Sequence, residues 1–414
     1  MRLTAEETAI LDGKRGAGAA KAMGILHSLG RIADAEEMVE VGSVQVSGVS
    51  YKNIGEYGLA FLEDWAAMGN KAVVPAFMNP GGADRTLWKR LGFSADFVKK
   101  QEQVVAALEA LGIAPLLSCT PYHAGTTPRY GEHVAWAESS AVSYANSVLG
   151  ARTNREGGPS AIAAALTGRT PKHTLHTDEG RKPTRIVTVR CKVPGIADVG
   201  AMGFQIGKAV SADKKGGVPY IRGVAAPEAP IRVTWLKALG AAMAASGAVG
   251  LYHVEGVTPE AMKHGDELKR GVQQKSEIES LDEGYAALGT GKGPVELVTL
   301  GCPHASRDDL VRILGILNGR KVKAPLWIAA SQVVREKAEA EGLAEKLRAC
   351  GAEIVADTCM VVAPLKDLGL RTLATDSAKA AFYLPSHHDM NVYFGSTEEN
   401  VEAAVTGRWP GSAG

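Results

Sequence analysis

Short apolar runs of strand length alternate with longer amphipathic stretches along most of this 414-residue chain, and that alternation constrains its fold more than any other feature. Strands that recur with a helix-length segment between them pair in parallel, because each crossover returns the chain to its starting edge. Helices then cover the sheet faces. The expectation is an α/β fold of several mainly parallel sheets. Cys119, Cys302 and Cys359 occupy equivalent places in this pattern. They close the apolar runs Gly112–Ser118, Pro294–Gly301 and Gly351–Thr358, where a strand passes into a loop. Ligands collect at the carboxyl ends of strands in open parallel sheets, so these distant thiols are placed to converge on one crevice.

Three thiolates suit an iron–sulfur cluster with one iron left open to a hydroxyl or carboxylate. Zinc with thiolate and imidazole ligands also fits these residue types. So does burial of the thiols as small hydrophobes.

Lys and Arg total 46 against 45 Asp and Glu, with 6% aromatic residues, a balance that offers neither a nucleic-acid footprint nor a membrane-binding field. No apolar stretch reaches roughly 18 residues. The opening MRLTAEETAIL lacks the basic start and apolar core of a secretory signal. Small-molecule chemistry in the cytoplasm is the expectation. Five widely spaced cysteines fit reduced thiols better than a disulfide framework.

The length and the 45% hydrophobic content allow more than one core. Three regions are expected: 1–183 with Cys119, a middle 184–292, and 293–414 with Cys302 and Cys359. Thr4 and Glu7 have capping-box spacing for a helix from Ala5. A second helix is predicted from about Gly16 to Leu29, with Gly30 as its cap. A Val-rich strand leads to a loop in which Ser43, Gln45, Ser47, Ser50 and Tyr51 either line a polar pocket or form an ordinary turn. A further strand ends at Asn79.

From Glu132 to Leu149 the pattern is helical, and Glu132, Ser139, Ser143 and Asn146 share one face. Arg152 and Arg155 follow, each able to fork onto a carboxylate or phosphate, or to sit in a solvated loop. Gly200, Gly203 and Gly207 lack the register of a dinucleotide fingerprint. HGDELKRGVQQKSEIES is predicted as an exposed helix and linker. Lys379 follows small polar residues at a helix start, where it either pairs with a substrate anion or lies on the surface.

Together SCTPY (118–122), GEHVAWAESSAV (131–142), NSVLGARTNREGGPSA (146–161), LGCPHAS (300–306), DTCMVVAP (357–364) and SAKAAFYLPS (377–386) resemble the large subunit of the aconitase X family over essentially the whole chain. The resemblance implies an aconitase-like fold and an iron–sulfur cluster, 4Fe-4S or 2Fe-2S, on Cys119, Cys302 and Cys359. Cys191 and Cys350 fall outside the matching motifs. It implies a hydro-lyase acting on a hydroxy-carboxylate: cis-3-hydroxy-L-proline as the first reading, (R)-5-phosphomevalonate as the alternative. The Ala- and Gly-rich composition, without Lys/Glu enrichment, leans toward the first. A metal-binding protein without turnover is the remaining class. The family also implies a small-subunit partner carrying a swivelling domain and a serine base, because no such domain is recognised here. Candidate catalytic groups are Glu132, His133 and Lys379; candidate substrate contacts are Ser47, Tyr51, Asn79, Asn154 and Arg155.

Overall fold

The computed structural model describes residues 1–213 and 216–410, so residues 411–414 of the expected C-terminal region lie outside the described residues. The chain begins as its caps dictate. Thr4 Oγ1 accepts the Glu7 N–H and Glu7 Oε2 accepts the Thr4 N–H at 2.8 Å, which starts the helix Ala5–Leu11. The second helix, Ala17–Ile32, runs past its expected stop. Gly30 lies inside it, and a Cβ there would come within 2.2 Å of Met1 Sδ. This glycine permits close packing and does not cap the helix.

Three parallel sheets form the frame, with a short antiparallel pair, Met38–Glu40 against Arg169–Pro171, beside the first. The first sheet has Val44–Val46 between Ala76–Met78 and Ala135–Trp136. The second has the order His253–Val254, Pro219–Arg222, Arg185–Val189, Gln274–Ile278. The third has the order Ala352–Val355, Leu326–Ala330, Leu297–Ala305, Thr372–Thr375, Asn391–Phe394. In the third sheet the chain grows outward to one side of Leu297–Ala305 and then crosses to the other. The first sheet does the same about Val44–Val46. Each therefore has a switch point, and a crevice opens there at the strand carboxyl ends.

Several expected elements differ. The run Gly112–Ser118 makes a single bridge, Phe77 to Ala114, and no strand. Cys302 lies inside its strand, at an irregularity where the register with Leu326–Ala330 shifts between Leu300 and Ala305. Gly301 makes that possible: its φ is 84°, and a Cβ would sit 2.2 Å from the Ala329 carbonyl oxygen. The long helix expected after Ser331 splits into Gln332–Ala340 and Leu343–Cys350, because Gly342 takes φ 68° between them. Gln274–Ile278, predicted as linker, pairs along Arg185–Val189 as an edge strand, where one solvated side tolerates its polar residues. No helix among the described residues is long and apolar enough to cross a membrane.

A buried ion pair joins the first and third regions. Asp84 and Arg335 meet at 2.5 Å, and Asp84 also accepts the N–H groups of Thr86, Leu87 and Ala356. It anchors the Asn79–Gly82 turn against the segment leading to Cys359, and Gly81 N–H reaches the Asp357 carbonyl at 2.8 Å. Arg335→Met strands a buried carboxylate and is expected to lower unfolding free energy by roughly 3 kcal/mol. Arg348→Met, which breaks a partly exposed pair with Glu339, should cost about 1 kcal/mol or less. Urea midpoints of the two variants compare them directly.

Candidate active site

The two switch points face one another across a cavity of about 300 Å³. The first sheet contributes Ser47, Asn79 and the turn Ala137–Ser139, each just past a strand end. The third contributes Cys302, Cys359 and Lys379, and Cys119 enters from the irregular segment after Ala114. Arg155, Asn53, Tyr383 and His387 complete the polar part of the wall. A larger cavity of about 520 Å³, around Arg152, Arg181 and Arg270, holds none of the thiols. A narrow one of about 40 Å³ lies behind Cys302, beside the buried Lys237–Asp309 pair. The thiol-lined cavity is the one that combines convergent polar groups with strand carboxyl ends.

Of the candidates named from sequence, Ser47, Asn79, Arg155, Lys379 and the three cysteines line this cavity. Tyr51, Asn154, Glu132 and His133 do not. Tyr51 turns its hydroxyl to the exposed Glu56 at 2.8 Å. Asn154 accepts the Leu175 N–H and donates to the His173 carbonyl, which fixes a turn. The expected helix from Glu132 begins only at Ser139, because Ala135–Trp136 is drawn into the first sheet beside Val44–Val46. Glu132 and His133 consequently lie on a bridge with Arg152; Glu132 caps the Arg129 N–H and His133 stacks on His176. Ser139 alone of the expected polar face reaches the cavity. Ser143 lies against Gly240, and Asn146 binds the Thr153 backbone and Arg181.

Glu138 was missed, and it is the centre of the site's electrostatics. Its carboxylate caps the helix Ser139–Tyr144 through the Ala141 N–H at 2.7 Å and accepts the Ser140 hydroxyl at 2.7 Å. Lys379 Nζ is hydrogen-bonded to its other oxygen and to Ser140 Oγ. Burial raises the cost of ionising Glu138, but the Lys379 ammonium and these donors outweigh it and hold the carboxyl down at about 2. Lys379 shows the converse: burial opposes its charge, while Glu138 and the neighbouring thiols push its pKa above the usual lysine range. The pair is therefore a fixed cation against a fixed anion at neutral pH.

Tyr383 and His387 were missed as well, although they follow Lys379 at intervals of four on the helix Ala378–His388, a spacing that places all three on one face.

The cysteines are free thiols. Burial pushes Cys302 up to about 12 and raises Cys119 and Cys359 too, although Lys379 opposes this at each. A buried thiol of this kind ionises when a cation binds it, as metal ligation does. Among the described residues no three His, Cys, Asp or Glu side chains are grouped to hold a single metal ion. Three thiols line this one cavity, a donor set whose chemistry suits an iron–sulfur cofactor. Asn79 Oδ1 is buried in this wall without a hydrogen-bond partner, a polar atom left for a ligand.

Family models match nearly the whole chain: the aconitase X first domain over residues 1–179, the second over 183–286 and the third over 295–406. A Methanocaldococcus jannaschii protein named phosphomevalonate dehydratase large subunit is 42% identical over 96% of this chain and 99% of its own length. A Pseudomonas aeruginosa cis-3-hydroxy-L-proline dehydratase is 34% identical over 99% of this chain and 71% of its own length. The crystal structure of holo-form aconitase X from Thermococcus kodakaraensis superposes with a TM-score of 0.88 at 39% identity, covering 98% of this chain and 100% of that one. With all three domains matched in order and the fold shared with a solved member, the chain belongs to the aconitase X family.

Proposed function

We propose that this chain is the large subunit of a phosphomevalonate dehydratase, removing water from (R)-5-phosphomevalonate. The composition had leaned toward cis-3-hydroxy-L-proline, and the relatives shift that order. Those bearing the phosphomevalonate name are closer in identity and match this chain end to end, whereas the hydroxyproline enzymes are more distant and longer.

The observation that carries the reading is the charge of the cavity. Its lining holds one carboxylate, Glu138, committed to Lys379, Ser140 and the Ala141 N–H, which leaves the Arg155 guanidinium as the cation of the wall not spent on that pair. A substrate with a carboxylate and a phosphate finds a guanidinium fork there, with the remaining Lys379 N–H beside it. The ring ammonium of hydroxyproline finds no uncommitted carboxylate among the described lining residues.

Cys119, Cys302 and Cys359 would hold an iron–sulfur cluster, which when bound supplies a Lewis acid for the departing hydroxyl. Arg155 and Lys379 fix the substrate's anionic groups, and Asn79 Oδ1 accepts a hydrogen bond from it. Apolar Val361 and Val362 line the cavity and help exclude water. Glu138 is held ionised and Lys379 protonated by each other, so neither is the free base that takes the C–H proton. We assign that base to the serine that the family resemblance implies on a small-subunit partner, in keeping with the large-subunit name of the relatives. We take the three units as 1–183, 184–292 and 293–414, with the cavity between the outer two, and place the protein in the cytoplasm, where free thiols persist.

Anaerobic turnover of the chain with its small subunit, offered each substrate separately, tests the assignment. The expected result is loss of water from the phosphorylated acid, with kcat/KM for cis-3-hydroxy-L-proline lower by at least about a hundredfold. Preference for the proline would overturn it.

A further inference from the structure

His304 follows Cys302 in the LGCPHAS stretch and has no part in the chemistry described above. It is completely buried, and all its polar atoms are engaged. Nε2 donates to the Thr358 carbonyl at 3.1 Å, which leaves Nδ1 bare to accept the Ser118 hydroxyl at 3.2 Å. Its backbone N–H points at Cys119 Sγ, 3.2 Å away. Its carbonyl accepts Lys237 Nζ at 2.9 Å, and Lys237 pairs with Asp309 at 3.2 Å.

Ser118 and Thr358 are the immediate neighbours of Cys119 and Cys359. One residue thus ties the three thiol-bearing segments together, two of which lie outside any strand. The Lys237–Asp309 pair holds it from behind, and Asp309 itself caps the helix Arg307–Leu317 with Ser306.

We propose that His304 is a positioning residue that sets the three thiols in a ligand-ready arrangement before any cofactor binds. Ordering loops at the moment of binding costs conformational entropy, so a preformed set binds more tightly and assembles faster. The inference rests on reading the three cysteines as one ligand set. Its test uses the cofactor-free chain, so the two readings fail separately: loss of the ligand set is seen as iron retained in Cys302→Ala, not in the experiment below.

The reduced, metal-free full chain is pulsed with iodoacetamide and labelling is read cysteine by cysteine by mass spectrometry, in the natural protein and in His304→Ala, His304→Gln and His304→Asn. Cys350, buried in the core of the third region, reports general loosening. In His304→Ala, labelling of Cys119 and Cys359 should rise about tenfold, the scale of losing one or two hydrogen bonds, while Cys350 stays protected. His304→Gln, whose amide reaches toward Thr358, should restore part of the protection at Cys359, and His304→Asn part of that at Cys119. Unchanged labelling of the trio overturns the proposal. So does a rise at Cys350 in step with theirs, which marks a merely structural role. If the alanine variant does not fold, the Gln and Asn variants decide by the same criterion.

Discussion

Cys302→Ala is expected to lose bound iron and sulfide and to lower dehydration by at least about a hundredfold, the scale of removing a group that stabilises developing charge. The loss is chemical rather than structural. The thiol is half-buried at a strand irregularity set by Gly301, and shortening it by one atom costs about 1 kcal/mol of stability. Cys350→Ala serves as the control, because Cys350 packs in the hydrophobic core of the third region, away from the cavity. It should keep its iron and its rate while losing comparable stability. Iron and sulfide analysis, the visible charge-transfer bands and turnover are measured together. A Cys302→Ala enzyme with full iron content and rate would remove this thiol from the ligand set.

Lys379→Met should destabilise the fold by roughly 3–5 kcal/mol at neutral pH, because Glu138 is then a buried carboxylate without its counter-charge. The pH dependence separates this from a packing defect. In the natural protein the Glu138 carboxyl is depressed to about 2 from an ordinary 4.5. Its contribution is therefore present above pH 4.5 and is lost as pH falls toward 2. Without the ammonium, burial, the largest single influence on Glu138, is opposed only by the Ser140 and Ala141 donors among its main partners, so the carboxyl of the variant is expected to rise. The variant then loses stability as pH climbs through the raised value, and regains part of it in acid. Urea midpoints from pH 4 to 8 read this directly. A deficit constant across that range would show that the lost interaction is not electrostatic. Glu138→Gln combined with Lys379→Met should recover a large part of the loss, since no charge is then stranded.

The same pair marks the boundary of what could be read from residues alone. Cys119, Cys302 and Cys359 were legible because each closes a run whose period and composition announce a strand, and strand ends in parallel sheets collect ligands. That reasoning survives although one of the runs forms only a bridge and another strand extends past its cysteine. Lys379 and Arg155 were legible by charge type and by their place near a turn. Glu132 and His133 were misplaced by a local pattern: residues 132–149 have helical spacing, but Ala135–Trp136 gains more by joining the first sheet. The helix then starts at Ser139, and the carboxylate at its cap, Glu138, is the one that lines the cavity. Tyr383 and His387 were available in the four-residue spacing after Lys379 and went unread.

Local rules decided what lies within one element: the capping box at Thr4 and Glu7, and the strand and helix lengths of the βα alternation. These depend on contacts a few residues apart, whose energetics any sequence displays. Long-range packing decided which strand ends face each other. Glu138 meets Lys379 across 241 residues of chain, and His304 meets Ser118 across 186. No periodicity encodes such meetings, because they follow from how the first and third sheets are set against one another, a relation that exists only once their cores are packed.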